Sequence, residues 1–94
     1  MESFDITNSI KSIFNNAEIV DHHYKILLNN LPNQEVILSI EYLEDWNTEV
    51  GQCYEFFINN DRILIAYCIS EEDFLSVFNV IYGPYITFIK NNSL

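Results

Sequence analysis

Apolar side chains recur along this chain first at a helical interval and then at a strand interval, and the places where the interval changes divide it into elements. Ile6, Ile10, Ile13 and Phe14 fall on one side of a helix predicted over 6–16, with Asp5 or Thr7 as its N-cap. From Ala17 the interval becomes two, so Val20, His22, Tyr24, Ile26 and Leu28 are expected on one face of a strand, and Ile19, Asp21, His23, Lys25 and Leu27 on the other. The stretch from Asn29 to Gln34 holds three asparagines and Pro32 and predicts a turn. Val36, Leu38, Ile40 and Tyr42 then alternate with Glu35, Ile37, Ser39 and Glu41, the pattern of a half-buried strand.

Gln52 to Ile69 reads as a hairpin. With Asn60 and Asp61 as the two loop residues, Tyr54, Phe56 and Ile58 lie opposite Tyr67, Ile65 and Ile63 on an apolar face that belongs in the core. Cys53, Glu55 and Phe57 then lie opposite Cys68, Ala66 and Leu64 on a mixed face. Ser70 and Asp73 have the spacing of a capping box, and Glu71, Glu72 and Asp73 suit the positive end of a helix dipole. Phe74, Val77, Phe78 and Ile81 supply that helix's apolar stripe, Gly83 and Pro84 are predicted to stop it, and the alternation from Tyr85 to Lys90 predicts a last strand. The resulting order α-β-β-β-β-α-β predicts an α+β fold: one domain spanning residues 1–94, with a mostly antiparallel, four- to five-stranded sheet and two helices on one face.

Charge changes the picture more than composition does. Fourteen acidic residues face four basic ones, a net charge of −10, beyond the magnitude of roughly 2–8 that solubility asks of a small domain. Three lysines stand against twelve asparagines, although the codons of both are AT-rich, so base composition does not account for the missing positive charge. A surface of this sign repels nucleic acid and anionic membrane and attracts basic proteins. No secretory signal opens the chain, and its longest apolar run, Ile63 to Ile69, falls far short of the roughly 20 residues of a membrane span. A cytoplasmic location is therefore expected.

Candidate chemistry is sparse. His22 and His23 are adjacent, so on a strand they point to opposite faces and cannot hold one ion between them. One is expected to face the core and the other solvent. Cys53 and Cys68 lack the spacing of a redox or zinc site and are expected as buried, reduced thiols. The carboxylates match no calcium loop, and no nucleophile motif or phosphate-binding glycine loop is present. The expectation is a protein without catalytic activity, metal or cofactor.

What remains is the segment from Glu41 to Val50, which places Glu41, Glu44, Asp45 and Glu49 around Tyr42 and Trp46, the chain's only tryptophan. Either Trp46 folds back into the core above a solvated acidic loop, or ring and acids form an interface, since tryptophan and tyrosine are favoured hot-spot residues and acids steer a basic partner. Glu55 and the group Glu71, Glu72 and Asp73 are candidates for its periphery, although capping alone also explains the latter three. A small, acidic, tyrosine- and phenylalanine-rich α+β domain carrying such a cluster resembles the immunity proteins that bacteria make against colicin-type and contact-dependent growth inhibition toxins. The resemblance implies an inhibitor that binds a cognate basic toxin, often a nuclease, at its active site or an adjacent exosite. It places Glu41, Tyr42, Glu44, Asp45, Trp46 and Glu49 at the centre of contact, with Glu55, Glu71, Glu72 and Asp73 around them. Two alternatives share the acidity or the apolar hairpin: a phage-encoded nucleic-acid mimic acting on a nuclease, CRISPR or restriction system, and a non-catalytic structural homo-oligomer, such as a homodimer, favoured by apolar residues on both hairpin faces such as Phe57 and Leu64.

Overall fold

The computed structural model describes residues 3–29, 31 and 34–92, with side chains through Phe88. Asn30, Pro32 and Asn33 of the predicted turn lie outside the described residues. In chain order the elements are α1 (Thr7–Ile13), β1 (Glu18–Val20), β2 (His23–Leu28), β3 (Val36–Tyr42), a 3₁₀ turn (Glu44–Trp46), β4 (Gln52–Ile58), β5 (Asp61–Cys68) and α2 (Glu71–Asn92). The strands form one antiparallel sheet in the order β1-β2-β3-β4-β5, and both helices contribute to a single core. The fold class expected from the pattern is the one found.

The alternation that defines β2 to β4 also defines the core face. Tyr24, Ile26 and Leu28 lie opposite Ile40, Leu38 and Val36, and Ile40 in turn lies opposite Phe56; all are buried. Ile6, Ile10 and Phe14 cover this face from α1 and its flanks, and Phe74, Phe78, Tyr82 and Ile86 cover it from α2. The rings interlock, with Phe56 5.6 Å from Phe74 and Phe78 6.1 Å from Phe14 between centroids. Each such pair is worth about 0.5–1.5 kcal/mol beyond the area it buries. The Tyr82 hydroxyl lies 2.9 Å from the carbonyls of both Ser39 and Phe57, so its single proton is shared between adjacent strands and fixes α2 against the middle of the sheet.

Four expectations are corrected. The strand read from Ala17 to Leu28 is a hairpin, with Asp21 at φ 53° in its two-residue turn and Val20 opposite His23. This places His22 in the turn, and both histidines are exposed. In the second hairpin the turn residues are Asn59 and Asn60, at φ 52° and 69°, rather than Asn60 and Asp61. Beyond a bulge at Phe56/Phe57, Tyr54 therefore lies opposite Ala66, Glu55 opposite Ile65 and Cys53 opposite Tyr67. A slip of one residue turns every side chain to the other face. Ile63, Ile65 and Tyr67, expected in the core, are 50%, 40% and 45% exposed. The cysteines consequently lie on opposite faces, both free and buried.

The remaining corrections concern the helices. α1 ends at Ile13, short of the predicted 16, and its N-cap is Ile6, while the Asp5 carboxylate accepts from the Thr7 N–H at 2.7 Å. α2 does not stop at Gly83 and Pro84 but runs through them, so the strand expected over Tyr85 to Lys90 is helical. An interior proline costs about 3 kcal/mol. Against that stands a stripe at four-residue spacing, Phe74, Phe78, Tyr82 and Ile86, which stays buried on both sides of it. The Ser70 cap forms as read, with the Asp73 N–H donating to Ser70 Oγ at 3.1 Å, while the Asp73 carboxylate reaches one residue beyond the cap and accepts from the Ile69 N–H at 3.0 Å.

Candidate functional site

The connection between β3 and β4 is braced along its length. The Leu43 N–H donates to the Cys53 carbonyl at 2.9 Å, Trp46 to Leu43 at 3.0 Å and Asn47 to Glu44 at 3.1 Å, and Thr48 and Gly51 exchange two further backbone bonds. Asn47 spans the loop with its side chain, donating to the Tyr42 hydroxyl and accepting from the Cys53 N–H at 2.9 Å. Held in this way, Trp46 does not fold back into the core. It is 63% exposed, and Glu44, Asp45 and Glu49 of the same loop are exposed as well.

In the depression that Trp46 also lines, Tyr42 is half-buried and stacks on Tyr54 at 4.9 Å, and it meets the His22 ring edge to face at 4.9 Å. Tyr42 thus presents a partly covered ring to the depression, whereas Trp46 is exposed. Tyr42, Trp46, His22 and the acids Glu41, Glu44 and Asp45 line a depression of about 260 Å³. His22 Nε2 lies 2.9 Å from Glu44, but both side chains are about half exposed or more, so solvent screens the pair. Among the described residues, no lysine or arginine forms an ion pair with Glu44, Asp45 or Glu49.

Sheet topology adds acids that the sequence did not point to. Asp5 and Asp21 line a neighbouring depression that shares His22 and Tyr42 with the first. The only signal for Asp21 was its capacity for the left-handed turn, and for Asp5 its place just ahead of α1. The hydrogen bonds that Asp5 receives from the Thr7 side chain and backbone hold its carboxyl below the usual range. Glu72 stands at the start of α2, just past the end of β5, and that end lies against Gly51. One end of the sheet therefore collects exposed carboxylates from four separate segments.

No protein-family model, curated protein or solved structure matches the chain. Its site is read from geometry alone, and geometry separates the ten candidate residues. Glu44, Asp45 and Trp46 line one depression with Tyr42, and Glu49 is exposed further along the same loop. Glu41 and Glu55 face each other across β3 and β4 on the sheet face away from the helices, with Glu41 3.7 Å from His23 and the mostly covered Glu55 3.3 Å from Arg62. Glu71 accepts from Ser9 Oγ at 2.7 Å and ties α2 to α1, and Asp73 is committed to its cap. Glu72 alone of that trio stands free in solvent. Within the described residues no group of three or more His, Cys, Asp or Glu side chains is placed to hold a metal ion, and no helix is long and apolar enough to cross a membrane. What this end of the molecule presents is an indole face set among carboxylate acceptors.

Proposed function

We propose that this chain is an inhibitor that captures a basic protein surface at its acidic end, and that the partner is a toxin domain, as for the small acidic immunity proteins it resembles. The observation that carries the proposal is Trp46, 63% exposed on a braced loop beside Glu44 and Asp45. Keeping a large apolar ring in water is unfavourable unless a partner covers it. In this reading the exposed carboxylates occupy cationic positions that hold the phosphates of a nuclease's substrate, and the indole fills an apolar recess between them. The protein would act in the cytoplasm without a cofactor, and it would not itself catalyse a reaction.

The test is binding to the basic toxin domain encoded beside its own gene, followed by real-time association kinetics. Reversing both charges with Glu44→Lys and Asp45→Lys is expected to lower the association rate about 10-fold or more and to flatten its salt dependence. Trp46→Ala is expected to speed dissociation about 30-fold, the equivalent of about 2 kcal/mol. Unchanged kinetics in all of these variants places the contact elsewhere on the molecule.

A further inference from the structure

We propose that the depression between the start of α1, the β1–β2 turn and the end of β3 is a receptacle for an arginine side chain of the basic partner. This deepens the reading above and rests on it for the source of the arginine. Rings make the wall. Phe4 lies 6.2 Å from Tyr54 between centroids, Tyr54 stacks on Tyr42 at 4.9 Å, Tyr42 meets His22 edge to face at 4.9 Å, and Tyr24 lines the same depression. Tyr24 and Tyr54 are buried members of the core, so close packing holds this wall in shape.

Two carboxylates complete it. Asp5 belongs to the segment leading into α1 and Asp21 to the turn between β1 and β2, and both are exposed. Neither forms an ion pair among the described residues, and no lysine or arginine lines the depression. Hydrogen bonds from the Thr7 side chain and backbone hold the Asp5 carboxyl below its usual range, so it is ionised at neutral pH. Carboxylates alone would accept any cation. Rings beside them select further, because a guanidinium spreads its charge over a plane that stacks on a π face while its edge donates to a carboxylate. A lysine ammonium is a compact, strongly hydrated charge and gains less from the rings. The volume, about 210 Å³, is below the roughly 300–1,000 Å³ of sites that enclose whole small ligands, and so suits one side chain rather than a free metabolite.

His22 and Tyr42 line both this depression and the one that Trp46 borders, so a single basic segment can seat an arginine here while an apolar neighbour covers the indole. Either charge can be removed with little disturbance to the backbone. Asp21 adopts φ 53°, a conformation that asparagine also accepts, and in Asp5→Asn the amide oxygen still accepts from the Thr7 N–H. Asp5→Asn and Asp21→Asn therefore change charge and little else.

The test needs no partner. N-acetyl-arginine amide is titrated from about 0.5 mM to about 50 mM at constant ionic strength, a range that suits the weak affinity of a single side chain, and backbone amides are followed by heteronuclear NMR. Saturable shifts are expected at Asp5, Thr7, Asp21, His22 and Tyr42, with a Kd in the millimolar range, and none at Val80, exposed on α2. The citrulline analogue, alike in shape but uncharged, is expected to give no shifts, and the lysine analogue to bind at least about 3-fold more weakly. Asp5→Asn and Asp21→Asn are each expected to raise the Kd about 3-fold, the size of one exposed ion pair. Shifts that fail to saturate, an equal response to the lysine or citrulline analogue, or a Kd indifferent to either substitution overturns the receptacle. Such a failure leaves the kinetics expected of Trp46→Ala and of the Glu44 and Asp45 variants untouched, whereas a chain that seats the arginine analogue but captures no toxin domain keeps the receptacle and refutes the toxin as its partner.

Discussion

Gln52→Met removes the one fully buried polar side chain among the described residues, 1% exposed, while nearly preserving its volume. The Gln52 amide works as a short piece of strand. Its Oε1 accepts from the Phe4 N–H at 3.0 Å, its Nε2 donates to the Phe4 carbonyl at 3.1 Å, and the same nitrogen donates to the Tyr54 hydroxyl at 2.7 Å. Three hydrogen bonds at about 1 kcal/mol each set a scale of about 3 kcal/mol. Phe4 sits in a half-buried segment whose backbone can turn to water once released, whereas Tyr54 cannot, so a net loss of about 2–3 kcal/mol is expected. For a domain of this size, stable by about 5–14 kcal/mol, that corresponds to a fall in Tm of roughly 10–20 °C. Urea titration followed by fluorescence measures it, with an unchanged m-value showing that the same surface is exposed on unfolding. Tyr54→Phe is expected to cost about 1 kcal/mol, and the double variant less than the sum of the two because they share a bond. A loss below about 1 kcal/mol for Gln52→Met would refute the reasoning, since the N-terminal segment would then be held by its apolar contacts alone.

Two further outcomes are expected. A Cβ on Gly51 would stand 3.0 Å from the Cys68 nitrogen and the Tyr67 carbonyl carbon, both backbone atoms of β5, so Gly51→Ala should cost about 1–3 kcal/mol in the same titration; a neutral result would mean that β5 yields easily. Burial pushes the Cys68 thiol up from 9.0 to about 11, with smaller contributions from Asp73 and Cys53. The folded chain therefore keeps a proton that the unfolded chain releases near pH 9, so this stabilisation is full below pH 9 and is lost as pH rises towards about 11. Burial raises Tyr54 and Tyr82 above their usual 10.0 as well, extending the decline. Urea midpoints that stay flat across this interval would contradict the placement of these groups in the core.

Much of the architecture was legible because one face of each central strand is apolar. Alternation alone found Tyr24 to Leu28, Val36 to Tyr42 and Tyr54 to Phe56 as core-facing sets, and the Ser70 and Asp73 cap was visible from spacing. The errors arose where a non-glycine residue does a glycine's work. Asp21, Asn59 and Asn60 all adopt positive φ, and nothing in a run of polar residues says which adjacent pair makes the turn. At Asn59 and Asn60 a displacement of one position sufficed to exchange the two faces of β5. Pro84 misled in the opposite direction, since a local rule against helix was overruled by the burial of Tyr82 before it and Ile86 after it. For the candidate site, the loop and its exposed indole could be anticipated as one of two possibilities. The contribution of Asp5 and Asp21 could not, because only the sheet brings those segments to the same end.

Asn47 carries a consequence for recognition. By tying the Tyr42 hydroxyl to the Cys53 amide across the loop, it fixes the course of the segment that displays the indole before any partner arrives. The entropy of ordering that segment, which a flexible loop surrenders on complex formation at about 0.5–1.5 kcal/mol per immobilised side chain, is already spent when the chain folds. A preorganised paratope of this kind leaves its displayed positions open to exchange, so new specificities can evolve at Glu44, Asp45 and Trp46 while the scaffold beneath them stays the same.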